Sequence, residues 1–176
     1  MKTPVLDTKR LLLRPLTCDD AETVFINWTS DAEVAKFMRW KVHTDVTQTR
    51  EWLAAEESSI GSDMVYNWGF VLKETGELIG SGGLVYQESK GMYELGYNIM
   101  KKYWNHGFTT EAAAAMIAFG KDVLHQKTFY CCHAKDNPAS GKVMQKIGFQ
   151  YQNDGVYSSW NGSKQFESRE YLLVVE

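Results

Sequence analysis

Hydrophobic and polar positions change their period along the chain, and each change predicts a different element. Apolar and polar side chains alternate over 64–72, 78–86 and 92–100, which predicts three successive strands because alternate side chains of a strand share one face. Over 110–124 the apolar positions recur with the helical period instead, so this stretch is predicted to be an amphipathic helix. The middle of the chain is therefore predicted to be a run of β-structure followed by one long helix.

Capping residues and shorter apolar runs predict the elements on either side. Thr17 and Asp20 have the spacing of a capping box and open a helix after the first strand, while Asn137 and Pro138 open a later one. The remaining predicted strands are 10–16, 128–134, 149–157 and 165–175, and the remaining predicted helices are a short one ending at 38, 45–59 and 138–147. Because strands and helices do not alternate regularly, this order predicts a mixed α/β (α+β) fold around one central sheet, in a single domain over 1–176.

Composition narrows the class of protein further. Of the 176 residues, 44% are apolar and 23% are charged, as in ordinary globular domains and unlike disordered chains. The formal net charge of −3 lacks the basic excess typical of nucleic-acid binding, so no nucleic-acid partner is expected. The N-terminus lacks a signal-peptide pattern, and no apolar run is long enough to cross a bilayer. We expect a soluble, cytoplasmic protein without a membrane partner, as a monomer or homodimer.

Cysteine, histidine and glycine patterns exclude several chemistries. The three cysteines, Cys18, Cys131 and Cys132, have no CxxC spacing, which indicates a reducing compartment rather than disulfides or a zinc knuckle. The four histidines show no metal-binding spacing, so no metal site is predicted. The glycine-rich run 80–83 lies inside a strand pattern with no helix after it, which disfavours a dinucleotide-binding loop.

One junction between a strand and a helix carries candidate chemistry. The predicted strand 92–100 leads into a short loop containing Gly107, and this loop opens an alanine-rich helix. The start of a helix presents unpaired backbone N–H groups at the positive end of the helix dipole, which suits a phosphate or pyrophosphate. An ordinary strand–helix connection, in which the glycine serves only the turn, explains the same pattern. The residues alone leave both interpretations open.

The sequence around this junction also resembles a known motif. ELGYNIMKKYWNHGFTTEAA is similar to the acyl-CoA-binding motif of the GNAT superfamily of N-acetyltransferases, in the form found in its RimJ/RimL-like branch. The superfamily pattern Q/R-x-x-G-x-G/A falls on residues 104–109, where Gly107 matches and Trp104 and Thr109 depart from the pattern. The blocks LDTKRLLLRPLTCDDAE and DNPASGKVMQKIGF resemble the opening strand and helix and the late helix of that branch. The resemblance covers nearly the whole chain.

The resemblance implies a fold and a cofactor site. The implied fold is a twisted, mixed sheet of about seven strands, flanked by helices and splayed between its fourth and fifth strands. The implied acyl donor is acetyl-CoA, and no metal is implied. In such a fold, backbone at Tyr97, Asn98 and Ile99 pairs with the pantetheine arm. The N–H donors that would wrap the pyrophosphate are those of Asn105, His106, Gly107, Phe108, Thr109 and Thr110. Asn137 would bond the pantetheine, and Ser140 would lie near the CoA sulfur.

The implied chemistry is attack of a neutral amine on a thioester, which needs a base for the amine and a proton for the departing thiolate. Glu94 is the candidate base because it shares a predicted strand with the expected cofactor contacts, although a solvated strand position explains it equally. Many members of the superfamily carry a tyrosine seven residues after the asparagine, but Met144 stands there in this chain. Ser140 is therefore the candidate proton donor, with an ordinary first-turn serine as the alternative.

The acceptor site is expected between the helices after the first strand and the late hairpin. Its candidate residues are Trp28, Trp40, His43 and Trp160, although aromatic side chains fill cores as readily as pockets. We expect an N-acetyltransferase that acts on a primary amine by direct attack in a ternary complex, first of all on a protein N-terminal α-amine such as that of a ribosomal protein. The alternatives are a small-molecule amine (polyamine, antibiotic or amino acid) and a non-catalytic acyl-CoA-binding module.

Overall fold

The computed structural model describes residues 1–176, which form one eight-stranded sheet with helices on both faces. The strands are β1 (Leu6–Asp7), β2 (Leu11–Arg14), β3 (Val65–Leu72), β4 (Leu78–Gln87), β5 (Met92–Ile99), β6 (Thr128–Ala134), β7 (Gln150–Ser158) and β8 (Gln165–Val174). The α-helices are α1 (Ala21–Val24), α2 (Ala32–Ala35), α3 (Val46–Ser59), α4 (Phe108–Asp122) and α5 (Pro138–Lys146).

The sheet has a single parallel pairing, and that pairing opens a cleft. The strand order is β1-β2-β3-β4-β5-β6-β8-β7, and all neighbours are antiparallel except β5 and β6. These two strands pair only at Tyr93 with Phe129 and at Glu94 with Tyr130. We call the gap between residues 95–99 of β5 and 131–134 of β6 the β5–β6 cleft. Along this cleft the facing strand edges are not hydrogen-bonded to each other.

Two apolar clusters hold the helices on opposite faces of the sheet. Trp68, Phe70 and Met116 belong to the larger cluster, which joins the sheet to α4 and α5. Trp28 and Leu53 belong to the smaller one, which joins the sheet to the helical segments between β2 and β3. Because burial of each large apolar side chain stabilises the fold by about 1.5–3 kcal/mol, these clusters fix the sheet between its two helical layers.

The fold class predicted from the sequence is confirmed, with one strand more than expected. The splay lies between the strands predicted as fourth and fifth, which are β5 and β6 in the complete sheet. The additional strand is β1, which contributes two residues and pairs Leu6 with Leu13. Two residues are too few to produce an alternating pattern, so no sequence signal marks this strand.

The predicted helices are present, with differences at their boundaries. Helix α4 begins at Phe108 rather than at position 110, because Gly107 precedes it as a left-handed N-cap with φ of +79°. The helix predicted after the first long strand is divided into a 3₁₀ turn (Cys18–Asp20), α1 and a π-helical stretch (Phe25–Thr29). None of the helices combines the length and the apolar character needed to cross a membrane.

Candidate active site

A cavity of about 450 Å³ opens at the β5–β6 cleft and reaches Glu56 on α3. We call it the cleft cavity. Gly83 and Gly96, which are paired partners on β4 and β5, form part of its floor. A Cβ at Gly96 would meet no atom within 4 Å, so a ligand can approach the backbone closely at this point. The residues predicted from sequence that line this cavity are Trp40, Glu94, Tyr97, Asn98, Asn137, Ser140 and Trp160.

The loop before α4 has a series of backbone N–H groups that make no hydrogen bond within the protein. Residues 105–110 have no backbone or side-chain acceptor for their N–H groups within the protein. Asn105 and Gly107 have positive φ values of +65° and +79°, which turn the loop into the start of the 15-residue helix α4. Consecutive unpaired N–H groups at the positive end of a helix dipole suit a phosphate or pyrophosphate. The six residues predicted for this role thus lie together at one helix N-terminus.

Arg10, which the sequence analysis did not single out, contacts the same loop. Its Nη1 donates to the carbonyl of His106 at 3.0 Å, and its guanidinium lies 4.3 Å from the centroid of the Phe108 ring. Its Nε is 2.7 Å from Glu111 Oε2. Burial alone would raise the pKa of Glu111, but hydrogen bonds from Thr8 and Arg10 and the guanidinium charge lower it overall. The Arg10–Glu111 pair therefore anchors the loop and α4 to the start of β2.

Asn98 and Asn137 offer polar groups on the two sides of the cleft. Asn137 occupies the N-cap position of α5, yet its side chain makes no capping hydrogen bond. The interpretation of Asn137 as a plain side-chain cap is therefore not supported by the geometry. Asn98 Nδ2 donates to Ser81 Oγ at 2.8 Å, whereas Asn98 Oδ1 is buried without a hydrogen-bond partner. Since unpaired buried acceptors are rare, this oxygen is a candidate contact for a ligand in the cleft.

Ser140, in the first turn of α5, contacts a tyrosine from β5. Its Oγ donates to Tyr97 Oη at 3.1 Å, and Tyr97 Oη donates to the Ser140 carbonyl at 3.0 Å. Burial raises the pKa of Tyr97 well above its ordinary value, so the phenol keeps its proton. The family resemblance implies a backbone role for Tyr97, and the contact of its hydroxyl with Ser140 adds a second one. Met144 is buried in the core, and a hydroxyl reaches Ser140 from β5 instead.

Glu94 lies at the cleft within a small polar network. Its Oε1 is 3.3 Å from Arg39 Nη2, and its Oε2 accepts from Gln87 Nε2 at 2.8 Å. The β4–β5 register is continuous from Gly80 to Gln87, so no bulge turns Glu94 away from the face it shares with Gly96. Burial and the neighbouring carboxylate raise the pKa of the Cys132 thiol to about 11, so this thiol is protonated at neutral pH. The Glu94 carboxylate therefore accepts the hydrogen bonds of this network.

A second cavity of about 530 Å³ adjoins the cleft cavity. We call it the tryptophan cavity because Trp40, Trp52 and Trp160 line it, and these residues and Arg39 line the cleft cavity as well. Trp160 is 69% exposed, and its backbone N–H donates to the Arg39 carbonyl at 2.8 Å. This bond ties the β7–β8 turn to the segment between α2 and α3, which together form the mouth of both cavities.

His43 and Trp28, the other two candidate acceptor residues, have different environments. His43 lines the tryptophan cavity with its Nδ1 2.8 Å from Thr49 Oγ1, and burial lowers its pKa. Trp28 has no exposed surface, lines neither cavity and packs in the smaller apolar cluster. The expectation that Trp28 contacts the acceptor is therefore wrong. Trp28 lies in the helical segment after β2, and its indole faces the sheet. The apolar periodicity of this segment does not distinguish a core-facing side chain from one that lines a pocket.

A known protein family has a sequence pattern that covers the site described above. Residues 10–150 match the family model of the acetyltransferase (GNAT) domain. The chain belongs to the GNAT family. The matched residues include the loop at Gly107, the β5–β6 cleft and α5. The protein is therefore an acetyltransferase.

Relatives and solved structures agree with the GNAT assignment. The uncharacterized N-acetyltransferase p20 of Bacillus licheniformis is 30% identical over 160 residues, which cover 90% of this chain and 88% of p20. The structure of a proposed ribosomal-protein-serine acetyltransferase from Vibrio cholerae has a TM-score of 0.86 at 19% identity and covers 99% of this chain and 100% of that one. The microcin C7 self-immunity acetyltransferase MccE, solved with acetyl-CoA and AMP, has a TM-score of 0.81 at 16% identity, covering 95% and 93%. These two structures share the fold of this GNAT chain.

Proposed function

We propose that this protein transfers an acetyl group from acetyl-CoA to a primary amine by direct attack in a ternary complex. The observation that carries the proposal is the continuity of the site. The free N–H groups of residues 105–110, the β5–β6 cleft and the cavity holding Glu94 and Ser140 follow one another along β5 and the start of α4. The complex of MccE with acetyl-CoA, in the same fold, supports the choice of donor.

The residues along this path fit the parts of acetyl-CoA. The N–H groups of residues 105–110 would hold the pyrophosphate, with the Arg10 guanidinium beside them. The edge of β5 at Tyr97, Asn98 and Ile99 is not paired with β6 and would pair with the pantetheine amides, although the Ile99 carbonyl already accepts from Trp104 Nε1 at 2.9 Å. The Asn137 side chain, which makes no capping bond, would bond the pantetheine from α5. Hydrogen bonds to charged groups are worth about 1.5–3 kcal/mol each, so the pyrophosphate contacts would dominate donor affinity.

The reaction needs little covalent participation from the protein. Bound acetyl-CoA supplies a thioester carbonyl as the electrophile. Glu94 would accept the proton that the amine loses, directly or through one water, while a C–N bond forms and the C–S bond breaks. Ser140 Oγ, hydrogen-bonded to the protonated Tyr97, would donate a proton to the departing thiolate. Cys132 would not act as a nucleophile, because burial and the nearby Glu94 carboxylate raise the pKa of its thiol to about 11.

Two kinds of acceptor amine have support. The Vibrio cholerae structure, described as a ribosomal-protein-serine acetyltransferase, supports a protein acceptor, and the sequence resemblance implies that its N-terminal α-amine would react. The cavity volume of about 450 Å³ supports a small-molecule amine, and Trp160 and Arg39, joined by a backbone hydrogen bond, line that cavity. Both acceptors would approach over Gly96, where the floor is open.

Release of free CoA thiol from acetyl-CoA, measured across a panel of amines, tests the proposal. The panel should contain peptides with free N-termini, the same peptides with blocked N-termini, aliphatic amines and amino acids. Turnover with at least one free primary amine, and none with the blocked peptides, is expected. Stoichiometric acetyl-CoA binding without turnover of any amine would instead favour the non-catalytic acyl-CoA-binding module.

A further inference from the structure

Glu56 of α3 is a carboxylate in the cleft cavity that the proposed reaction does not use. Its two oxygens accept hydrogen bonds from neutral donors, Trp52 Nε1 at 3.1 Å and Asn67 Nδ2 at 2.6 Å. No lysine, arginine or histidine pairs with it. The carboxylate is thus held in place but lacks a cationic partner within the protein.

A glycine in the sheet beneath Glu56 makes room for the Asn67 side chain that donates to Glu56. Asn67 on β3 is paired with Gly83 on β4, and a Cβ at Gly83 would collide with the Asn67 side chain. The glycine therefore makes room for the amide that orients Glu56. Gly83 is in turn paired with Gly96 on β5, and only the space over Gly96 is open, because the Asn67 amide covers Gly83.

Electrostatics distinguishes Glu56 from Glu94 at the other side of the cavity. Glu94 already has a cationic partner in Arg39 at 3.3 Å. Burial raises the pKa of Glu56, because its desolvation outweighs the hydrogen bonds from Asn67 and Trp52. A buried anion with neutral neighbours only is stabilised when a cation binds beside it. The indole rings of Trp40 and Trp52, which line the same cavity, offer apolar and cation–π contacts for an alkyl ammonium.

We propose that Glu56 binds a second, non-reacting ammonium group of the acceptor, so that the preferred substrate is an aliphatic diamine or longer polyamine. This inference rests on the proposed function. Neighbouring strands lie about 4.8 Å apart, so the floor from β3 to β5 spans about 10 Å. A diamine laid over Gly96 and beside the Asn67 amide, which covers Gly83, would place one amine at the cleft while Glu56 holds the other, with its methylenes on the tryptophan rings.

Wild-type kinetics give the first test. Initial rates with diaminobutane, diaminohexane and diaminooctane are compared with those of hexylamine, which has one amine and a similar chain. The diamine that matches the cavity is expected to have kcat/KM about tenfold or more above hexylamine, because a charged hydrogen bond is lost with the monoamine. Equal efficiency for diamines and hexylamine, or turnover of peptide N-termini alone, would overturn the inference while leaving the proposed function intact. No turnover of any amine would overturn the proposed function itself.

Substitutions then assign the preference to Glu56. Glu56→Gln should raise KM for the diamine about tenfold or more, leave KM for hexylamine near wild type and leave acetyl-CoA affinity unchanged. The matched control is Glu51→Gln on the same helix, where the side chain is exposed and makes no hydrogen bond or ion pair. Glu56→Asp keeps the carboxylate but shortens the side chain by one methylene, which moves the charge towards α3. The preferred diamine should therefore become longer. A diamine preference unchanged in both Glu56 variants would contradict the assignment, as would an equal loss in Glu51→Gln.

Discussion

Tyr97 and Ser140 exchange hydrogen bonds between β5 and α5. Ser140 Oγ donates to Tyr97 Oη at 3.1 Å, and Tyr97 Oη donates to the carbonyl of Ser140 at 3.0 Å. The two residues are 43 positions apart in the chain and meet at the wall of the cleft cavity. Because burial raises the pKa of Tyr97, the phenol keeps its proton and holds Ser140 Oγ in place beside the cleft.

Ser140→Ala should lower kcat about tenfold and leave acetyl-CoA affinity nearly unchanged. The loss should be below the 10²–10⁴-fold typical of general acid–base catalysis, because solvent can supply the proton to a thiolate, which is a tolerable leaving group. Tyr97→Phe should lower kcat less, since Ser140 Oγ remains. Steady-state kinetics of the double variant decide whether the two hydroxyls act together. Less-than-additive losses are expected if Tyr97 acts by orienting Ser140 Oγ, and fully additive losses would contradict this role.

Glu94→Gln should lower kcat by about 10²–10⁴-fold, the range typical of losing a general base. The amide keeps the size and can still contact its neighbours, so the change isolates loss of the proton acceptor. Gln87→Ala is the control, because it removes one hydrogen bond to Glu94 at 2.8 Å and leaves the carboxylate in place. A wild-type rate in Glu94→Gln would show that water takes the proton from the amine.

Gly107→Glu should abolish acetyl-CoA binding in calorimetry while circular dichroism remains that of a folded protein. The new carboxylate would stand among the free N–H groups that are proposed to hold the pyrophosphate. A left-handed φ of +79° adds about 1–2 kcal/mol of strain for any residue with a Cβ. Gly91→Glu is matched for both charge and strain, since Gly91 has φ of +67° in the β4–β5 turn. Equal loss of affinity in both variants would place the donor site elsewhere.

Glu111→Gln should lower the free energy of unfolding at pH 7 and lower it much less under acidic conditions. The pKa of Glu111 is below its ordinary value in the folded protein, so ionised Glu111 stabilises the fold above its unfolded pKa of about 4.3. This contribution is lost as the pH falls through the folded-state pKa. Urea unfolding of both proteins at pH 7 and near pH 2 measures it. A stability difference of the same size at both pH values would contradict the role of the Arg10–Glu111 pair.

Local sequence patterns determined the elements and part of the site. Alternation and helical periodicity fixed β3, β4, β5 and α4, since these periods follow from backbone geometry within each segment. The glycine before an alanine-rich helix marked the loop at Gly107, and the capping residues marked the start of α5 at Asn137. These features need only neighbouring residues, so a sequence without its structure is enough to find them.

The tertiary structure alone decided which distant side chains meet. Arg10 reaches a carbonyl 96 residues away, Tyr97 reaches Ser140 across the cleft, and Glu56 is held by Asn67 from another element. Trp28 shows the converse, because an aromatic residue at a plausible pocket position is fully buried in the core. The physical reason is that strand register and helix packing set these contacts. Both depend on how apolar faces fit together over the whole sheet, which no local period encodes.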